Sequence, residues 1–212
     1  MIREILEYPD ARLREIAKPV AAVTPEVQAL VNDMAETMYA APGCGLAATQ
    51  LGIPQRIFVV DCAAEDEPSQ LLVFINPEFI EKDGVQTWEE GCLSFPGVTE
   101  EIKRAERVKV RALDRNGKSF EVEAEGLLAV ALQHENDHLD GVLMIDKLSA
   151  LKKRMMGRKL AKAKQEDARE YRPFVNCSGT PPVPDSCREW GLAIQHRSSR
   201  SVVRSRVDGS QS

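Results

Sequence analysis

The 212-residue chain is short of several things, and each shortage removes a class of protein. No apolar run approaches the roughly 20 residues that a membrane-spanning helix needs. The N-terminus, Met1-Ile2-Arg3-Glu4-Ile5-Leu6-Glu7, carries acid and has no apolar signal core, so no secretion signal is read there. There is no glycine-rich phosphate loop of the expected form and no internal repeat. The five cysteines are an odd number without framework spacing, which points to a reducing compartment, and hence the cytoplasm, rather than to a disulfide scaffold. Histidine is scarce: His134, His138 and His196 are the full set, and two of them stand four residues apart.

What is present is the composition of a soluble globular chain, with 43% hydrophobic and 29% charged residues. A chain of this length buries well over half of its unfolded surface and needs neither disulfide nor metal merely to fold. The net charge of −5 is unevenly spread. Residues 1–146 carry 13 basic and 27 acidic side chains, whereas residues 147–164 carry eight Lys/Arg and no acid. The body therefore repels nucleic acid, and one segment is attracted to it.

Thr24 as N-cap, Pro25 at the first helical position, and Val27, Leu30, Val31, Met34 and Met38 on one face predict a helix over 25–40. Gly43-Cys44-Gly45-Leu46-Ala47-Ala48-Thr49-Gln50 follows, a run of small residues that permits close backbone approach. Strands are predicted at 57–61, 71–76, 85–89, 108–114 and 119–124, the last two joined through Asn116-Gly117. A second helix is expected over 126–139, a short strand over 142–145, and a third helix from about 149 to 171 with Leu151, Met155 and Leu160 as a narrow apolar stripe. The order of strands and helices predicts an α+β fold: antiparallel or mixed β-sheets around a central helix, with N-terminal and C-terminal helices. Residues 172–212 hold six arginines, no lysine, eight serines and four prolines, and read as a flexible tail without a core of its own. Cys177 and Cys187 within it read as free thiols. The division is therefore 1–171 for the folded domain and 172–212 for the tail.

His134-Glu135-Asn136-Asp137-His138 fits H-E-x-x-H. Positions i and i+4 share a helix face, so both imidazoles reach one metal ion, and Glu135 stands where it can take a proton from water. A catalytic divalent site usually has three protein ligands. The metzincin position for the third is Met144 here. Glu166 lies on a basic helix without a matching motif. Cys92, in Glu90-Gly91-Cys92-Leu93-Ser94, is a candidate upstream, although taken alone a free cysteine reads as core rather than as a ligand.

The three segments 43–50, 90–94 and 133–138, in that order and spacing, resemble the signature motifs of peptide deformylase. The likeness covers residues 1 to about 170, in the form of the bacterial class that ends in a helix. The resemblance implies removal of the formyl group from N-formylmethionine on nascent chains, with Cys92, His134 and His138 as metal ligands. It implies Glu135 as general base and acid, Gln50 and the backbone N–H of Leu93 as oxyanion donors, and Gly45 as a backbone contact to the substrate. The expected ion is Fe(II), with Zn(II), Ni(II) or Co(II) as substitutes. Leu127, Val130 and Ala131 are expected to line a methionine pocket, with Phe95 as a further wall. Cys44 stands where the family usually has a branched aliphatic residue. Arg104 aligns with a substrate-contacting arginine. A monomer is expected, with no membrane and no sequence-specific nucleic acid. Transient ribosome docking is expected through the basic helix 147–164. Two rivals share parts of the pattern: a metallopeptidase, and a non-catalytic metal-binding, ribosome-associated module.

Overall fold

A computed structural model describes residues 1–41, 43–64, 67–170 and 204–206. Helix α1 spans Pro25–Ala40, with the Thr24 hydroxyl accepting from Val27 N–H. All five of its predicted apolar residues are buried. Strands β1 (Gly45–Ala47), β2 (Ile57–Val60), β3 (Leu72–Asp83), β6 (Arg107–Leu113), β7 (Ser119–Glu125) and β8 (Arg204–Arg206) form one sheet in the order β1-β2-β3-β6-β7-β8. Strands β4 (Gln86–Gly91) and β5 (Thr99–Arg104) form a two-stranded sheet. Every named strand pair is antiparallel. Helix α2 (Gly126–Leu139) follows β7 directly, and helix α3 spans Ala150–Glu170.

Three apolar clusters hold these elements together. In the first, Leu128, Ala129, Ala131 and Leu132 of α2 pack on Phe58, Phe74, Val110 and Val122 of the large sheet. On the other face, α1 packs against Leu46, Ile57, Val59 and Ile75. This is the pleat at work: alternate residues of β1 and β2 serve opposite cores. The third cluster joins Phe95 and Val98 of the β4–β5 connection, and Ile102 of β5, to Leu143, Met144, Met156 and Leu160. Helix α2 is buried along residues 128–135 and at His138 and Leu139, and so carries the H-E-x-x-H segment inside the molecule. The N-terminal segment straps these parts together: Leu6 N–H donates to Gln50 C=O, Tyr8 N–H to Ser94 C=O, and Ala17 N–H to Leu139 C=O.

Several local expectations are corrected. Residues 142–145 are not a strand. Met144–Lys147 form a 3-10 turn, closed by Leu143 N–H donating to Asp146 Oδ2 at 2.9 Å. Its side chains at 143–145 are all buried, and a continuous apolar run does not distinguish strand from turn. Among the described side chains of α3 the buried ones are Met156 and Leu160, while Leu151 and Met155 are 69% and 49% exposed. β3 continues past Asn76 because a register shift between Ile75 and Glu78 accommodates Pro77. β1 and β5 were not predicted. Of the segment 172–212, only Arg204–Arg206 belong to the described residues, paired to β7 at Glu121–Glu123. The tail expectation otherwise lies outside them, as do Cys177 and Cys187.

Candidate metal centre and active site

The site is assembled from three separate pieces of chain. Helix α2 supplies His134, Glu135 and His138, all buried. The turn after β4 supplies Cys92, and the 3-10 turn Ala48–Leu51 after β1 supplies Gln50. Cys92 Sγ lies 3.2 Å from His138 Nε2, which lies 3.3 Å from His134 Nε2. The three donor atoms lie within 4.8 Å of one another. One thiol and two imidazoles, buried and convergent, suit a four-coordinate divalent ion with one open position.

The surroundings fit such an ion. His134 Nδ1 is 2.8 Å from Glu90 Oε2. A carboxylate only accepts, so Nδ1 carries a hydrogen and Nε2 is the ring nitrogen that faces the cluster. Burial disfavours charge on His134, yet Cys92 and Glu90 outweigh it and raise its pKa well above the ordinary value. His138 is pushed the other way by burial and by His134, and is neutral. Three buried side-chain polar atoms lack a hydrogen-bond partner among the described residues, and two of them are here: Glu135 Oε2 and His138 Nδ1.

Glu135 stands against Gly45. A Cβ at residue 45 would lie 2.9 Å from both Glu135 Cγ and Cδ, so only glycine leaves room for this carboxyl. Burial raises Glu135 to about 8, near the range that suits proton transfer around neutral pH. Gln50 is oriented by its neighbours. Its Oε1 accepts from Ala47 N–H at 2.9 Å, while Nε2 donates to Ser94 Oγ at 3.1 Å and faces Cys92 Sγ at 3.8 Å. Leu93 follows Cys92 and packs beneath the small-residue run, its Cδ1 2.7 Å from where a Cβ on Gly43 would stand.

Arg104 does not face the substrate side. Its side chain is 3% exposed and grips Glu90 through two bonds of 2.7 and 2.8 Å. It also pairs with Asp137, which Lys147 reaches at 3.0 Å. The expected substrate contact is therefore corrected: the guanidinium is spent on two carboxylates behind His134. Burial opposes the charge on Glu90, but Arg104 and His134 hold its pKa at about 2. Of the expected pocket residues, Ala131 packs into the core cluster, Val130 is buried outside the three clusters, and Leu127 is half-buried. Phe95 is fully buried and stacks on Tyr8 with ring centroids 5.0 Å apart, so it is core. Cys44 is half-buried beside β1. The supporting roles of Glu90, Ser94 and Asp137 were missed. All three sit within or beside the H-E-x-x-H and Cys92 motifs, and a ligating histidine's need for an acceptor was the signal available.

A model of the family described as polypeptide deformylase matches residues 2–154. The chain is 56% identical over 161 residues to a peptide deformylase of Alkalilimnicola ehrlichii, covering 76% of this chain and 90% of that one. It is 50% identical to a peptide deformylase of Chromobacterium violaceum over 163 residues, covering 77% and 96%. The crystal structure of a peptide deformylase from Legionella pneumophila superposes with a TM-score of 0.76 at 50% identity, covering 80% of this chain and 99% of that one.

Proposed function

The chain belongs to the polypeptide deformylase family, and from that membership we propose how its residues divide the removal of the formyl group from the N-terminal methionine of nascent polypeptides. The observation that carries the assignment is the convergence of Cys92, His134 and His138 beside the unpartnered Glu135 oxygen. Cys92, His134 and His138 hold one divalent ion, Fe(II) by family expectation, with Zn(II), Ni(II) or Co(II) compatible with the same donors. When bound, that ion supplies Lewis acidity and a water of lowered pKa. Glu135 takes the proton as water adds to the formyl carbon. It returns a proton to the amine nitrogen as the C–N bond breaks, and formate leaves. Gln50 Nε2 and the Leu93 N–H donate to the formyl oxygen as negative charge grows there, each contributing about 3 kcal/mol.

Placement of the peptide falls to β1, an edge strand of the large sheet. Cys44 is bonded to Asp61 across the ladder, so alternation turns the Gly45 N–H and C=O outward, toward an added strand. Leu127, Val130, Ala131 and Cys44 form the apolar wall for the methionine side chain. Arg104 acts as a positioning residue, through Glu90, on His134. Catalysis rests within residues 1–171, in the cytoplasm and as a monomer. Docking at the ribosome runs through the basic segment 147–164, where Lys152 and Lys159 are already engaged by Glu100 at 3.2 and 3.6 Å. Among the described residues no helix is long and apolar enough to cross a membrane.

The test is anaerobic formate release from formyl-Met-Ala-Ser with metal analysis of the same sample, for the native chain and for Glu135→Gln. The variant keeps its metal and loses about 10²–10⁴-fold in turnover, the usual contribution of a general base. New peptide termini without formate would assign the site to peptide-bond hydrolysis instead.

A further inference from the structure

Two thiols outside the metal cluster converge beside it. Cys44 stands one residue before β1, and Cys62 stands two residues after β2. Asp61 N–H donates to Cys44 C=O at 2.9 Å, which carries the β1–β2 register one step further and sets Cys44 opposite Asp61. Cys62 is then one residue along. A hydrogen-bonded antiparallel pair has Cα atoms about 5.5 Å apart and each residue adds about 3.3 Å, which puts the two cysteine Cα atoms about 6 Å apart. Disulfides span Cα separations of about 4.4–6.8 Å. The side chains converge too. Both pack on the cluster that contains Val60 and Ala131, and each thiol perturbs the ionisation of the other. Both are half-buried, which leaves them open to a small oxidant.

We propose that Cys44 and Cys62 form a redox-modification site, which a peroxide converts to an intramolecular disulfide that reversibly slows deformylation. The Cys44 thiolate attacks the peroxide O–O bond, takes one oxygen as sulfenic acid and releases hydroxide. The Cys62 sulfur then loses its proton, attacks the Cys44 sulfur and expels a second hydroxide. The proton of each thiol ends in water. Two thiols are oxidised by two electrons, and one peroxide is reduced to two waters. The neighbouring thiols support this order of events: Cys62 brings the Cys44 thiol down to about 7 against the effect of burial, and Cys44 together with burial keeps Cys62 protonated.

The cost to turnover follows from position. An S–S bond is about 2.05 Å long, whereas non-bonded neighbours stand about 3.5–4.0 Å apart. Closing the bond draws the chain at Cys44 inward by about 1 Å. The next residue is Gly45, whose missing side chain makes room for Glu135. A misplacement of about 1 Å near reacting groups costs up to about 100-fold. The disulfide stands independently of the deformylase reading, and its effect on turnover rests on that reading.

The experiment uses the zinc-loaded full chain, which removes iron oxidation from the outcome. Graded hydrogen peroxide is followed by alkylation, peptide mapping, and formate release before and after dithiothreitol. We expect a Cys44–Cys62 linked peptide pair, a loss of about 10- to 100-fold in turnover, and recovery on reduction. Cys62→Ala should retain the activity of the reduced enzyme and lose the recoverable component. The proposal is overturned if both thiols alkylate at peroxide levels that already oxidise Cys92. It is equally overturned if either thiol pairs with Cys177 or Cys187, or if the linked form turns over normally. Absence of formate release from the reduced chain would count against the family-based reading alone, and mapping would still decide the disulfide.

Discussion

Gly45→Ala is the smallest change that tests how the base is seated. The added methyl would stand 2.9 Å from Glu135 Cγ and Cδ, where ordinary carbon contacts are about 3.5–4.0 Å. One partner must yield by about 0.6–1.1 Å. β1 is fixed by its pairing with β2, and α2 is fixed by the core cluster beneath it. The Glu135 carboxyl is what gives. A displacement near 1 Å costs about 100-fold in turnover, and the overpacking itself costs about 1–3 kcal/mol of stability. The metal donors are other side chains, His134 and His138 of α2 and Cys92 after β4, so metal content should hold. The assay is formate release from formyl-Met-Ala-Ser in four proteins: native, Gly45→Ala, Glu135→Gln and the double variant. With the base already gone, Gly45→Ala should change the residual rate by less than about threefold. The coupling then approaches 2.7 kcal/mol, about 1.36 for each tenfold. A Gly45→Ala enzyme within about threefold of native, or one whose loss is equal in both backgrounds, would refute this account of the seat.

Three further outcomes are expected. Cys92→Ser should lose metal or change which metal it retains, because a serine hydroxyl is neutral and harder than a thiolate; metal analysis at unchanged content would place the third donor elsewhere. In the metal-free chain, Glu90 is held at about 2 against an ordinary 4.5, which corresponds to about 3 kcal/mol. Its folded pKa is depressed, so this contribution is complete above about pH 4.5 and fades as pH falls toward 2. Urea unfolding should therefore show Glu90→Gln less stable at pH 7 and converging with native near pH 2, and parallel curves would contradict the ion pair's role. Lys153→Gln, Arg154→Gln and Arg158→Gln together should weaken ribosome binding and flatten its salt slope by about 2–3, leaving turnover of a free formyl-peptide unchanged; co-sedimentation at low salt that matches native would remove the docking surface.

Helix α1 was legible to its ends because an apolar face, a capping threonine and a first-turn proline all agreed. The α2 ligands were legible because i, i+4 spacing is a chemical constraint as well as a structural one. β5 was not. Thr99-Glu100-Glu101-Ile102-Lys103-Arg104 buries only Ile102 and Arg104, and the second of these is an ion-paired charge that hydrophobic patterning scores as surface. That same charge explains the misreading of Arg104, since a sequence shows a guanidinium but not the carboxylates that surround it. β1 escaped notice because Gly45-Leu46-Ala47 has little strand propensity, and its conformation is imposed by β2 and the two cores. Cys62 carried no motif and gained meaning only from the register that brings it beside Cys44.

The N-terminal strap sets a schedule for the molecule's own synthesis. Its bonds from Leu6, Tyr8 and Ala17 reach partners 44, 86 and 122 residues further on. Contacts of such long range carry the largest loop-closure cost and tend to form late. Translation adds about 5–20 residues each second, so Ala17 waits roughly 6–24 s for Leu139 to be made. During that interval the first-made segment has only part of its seat: Gln50 and Ser94 are made before Leu139, and the segment that ties them is held at its Ala17 end by nothing yet synthesised. The end of the chain that emerges first is thus among the last to be placed, and the active site becomes rigid only once α2 is complete.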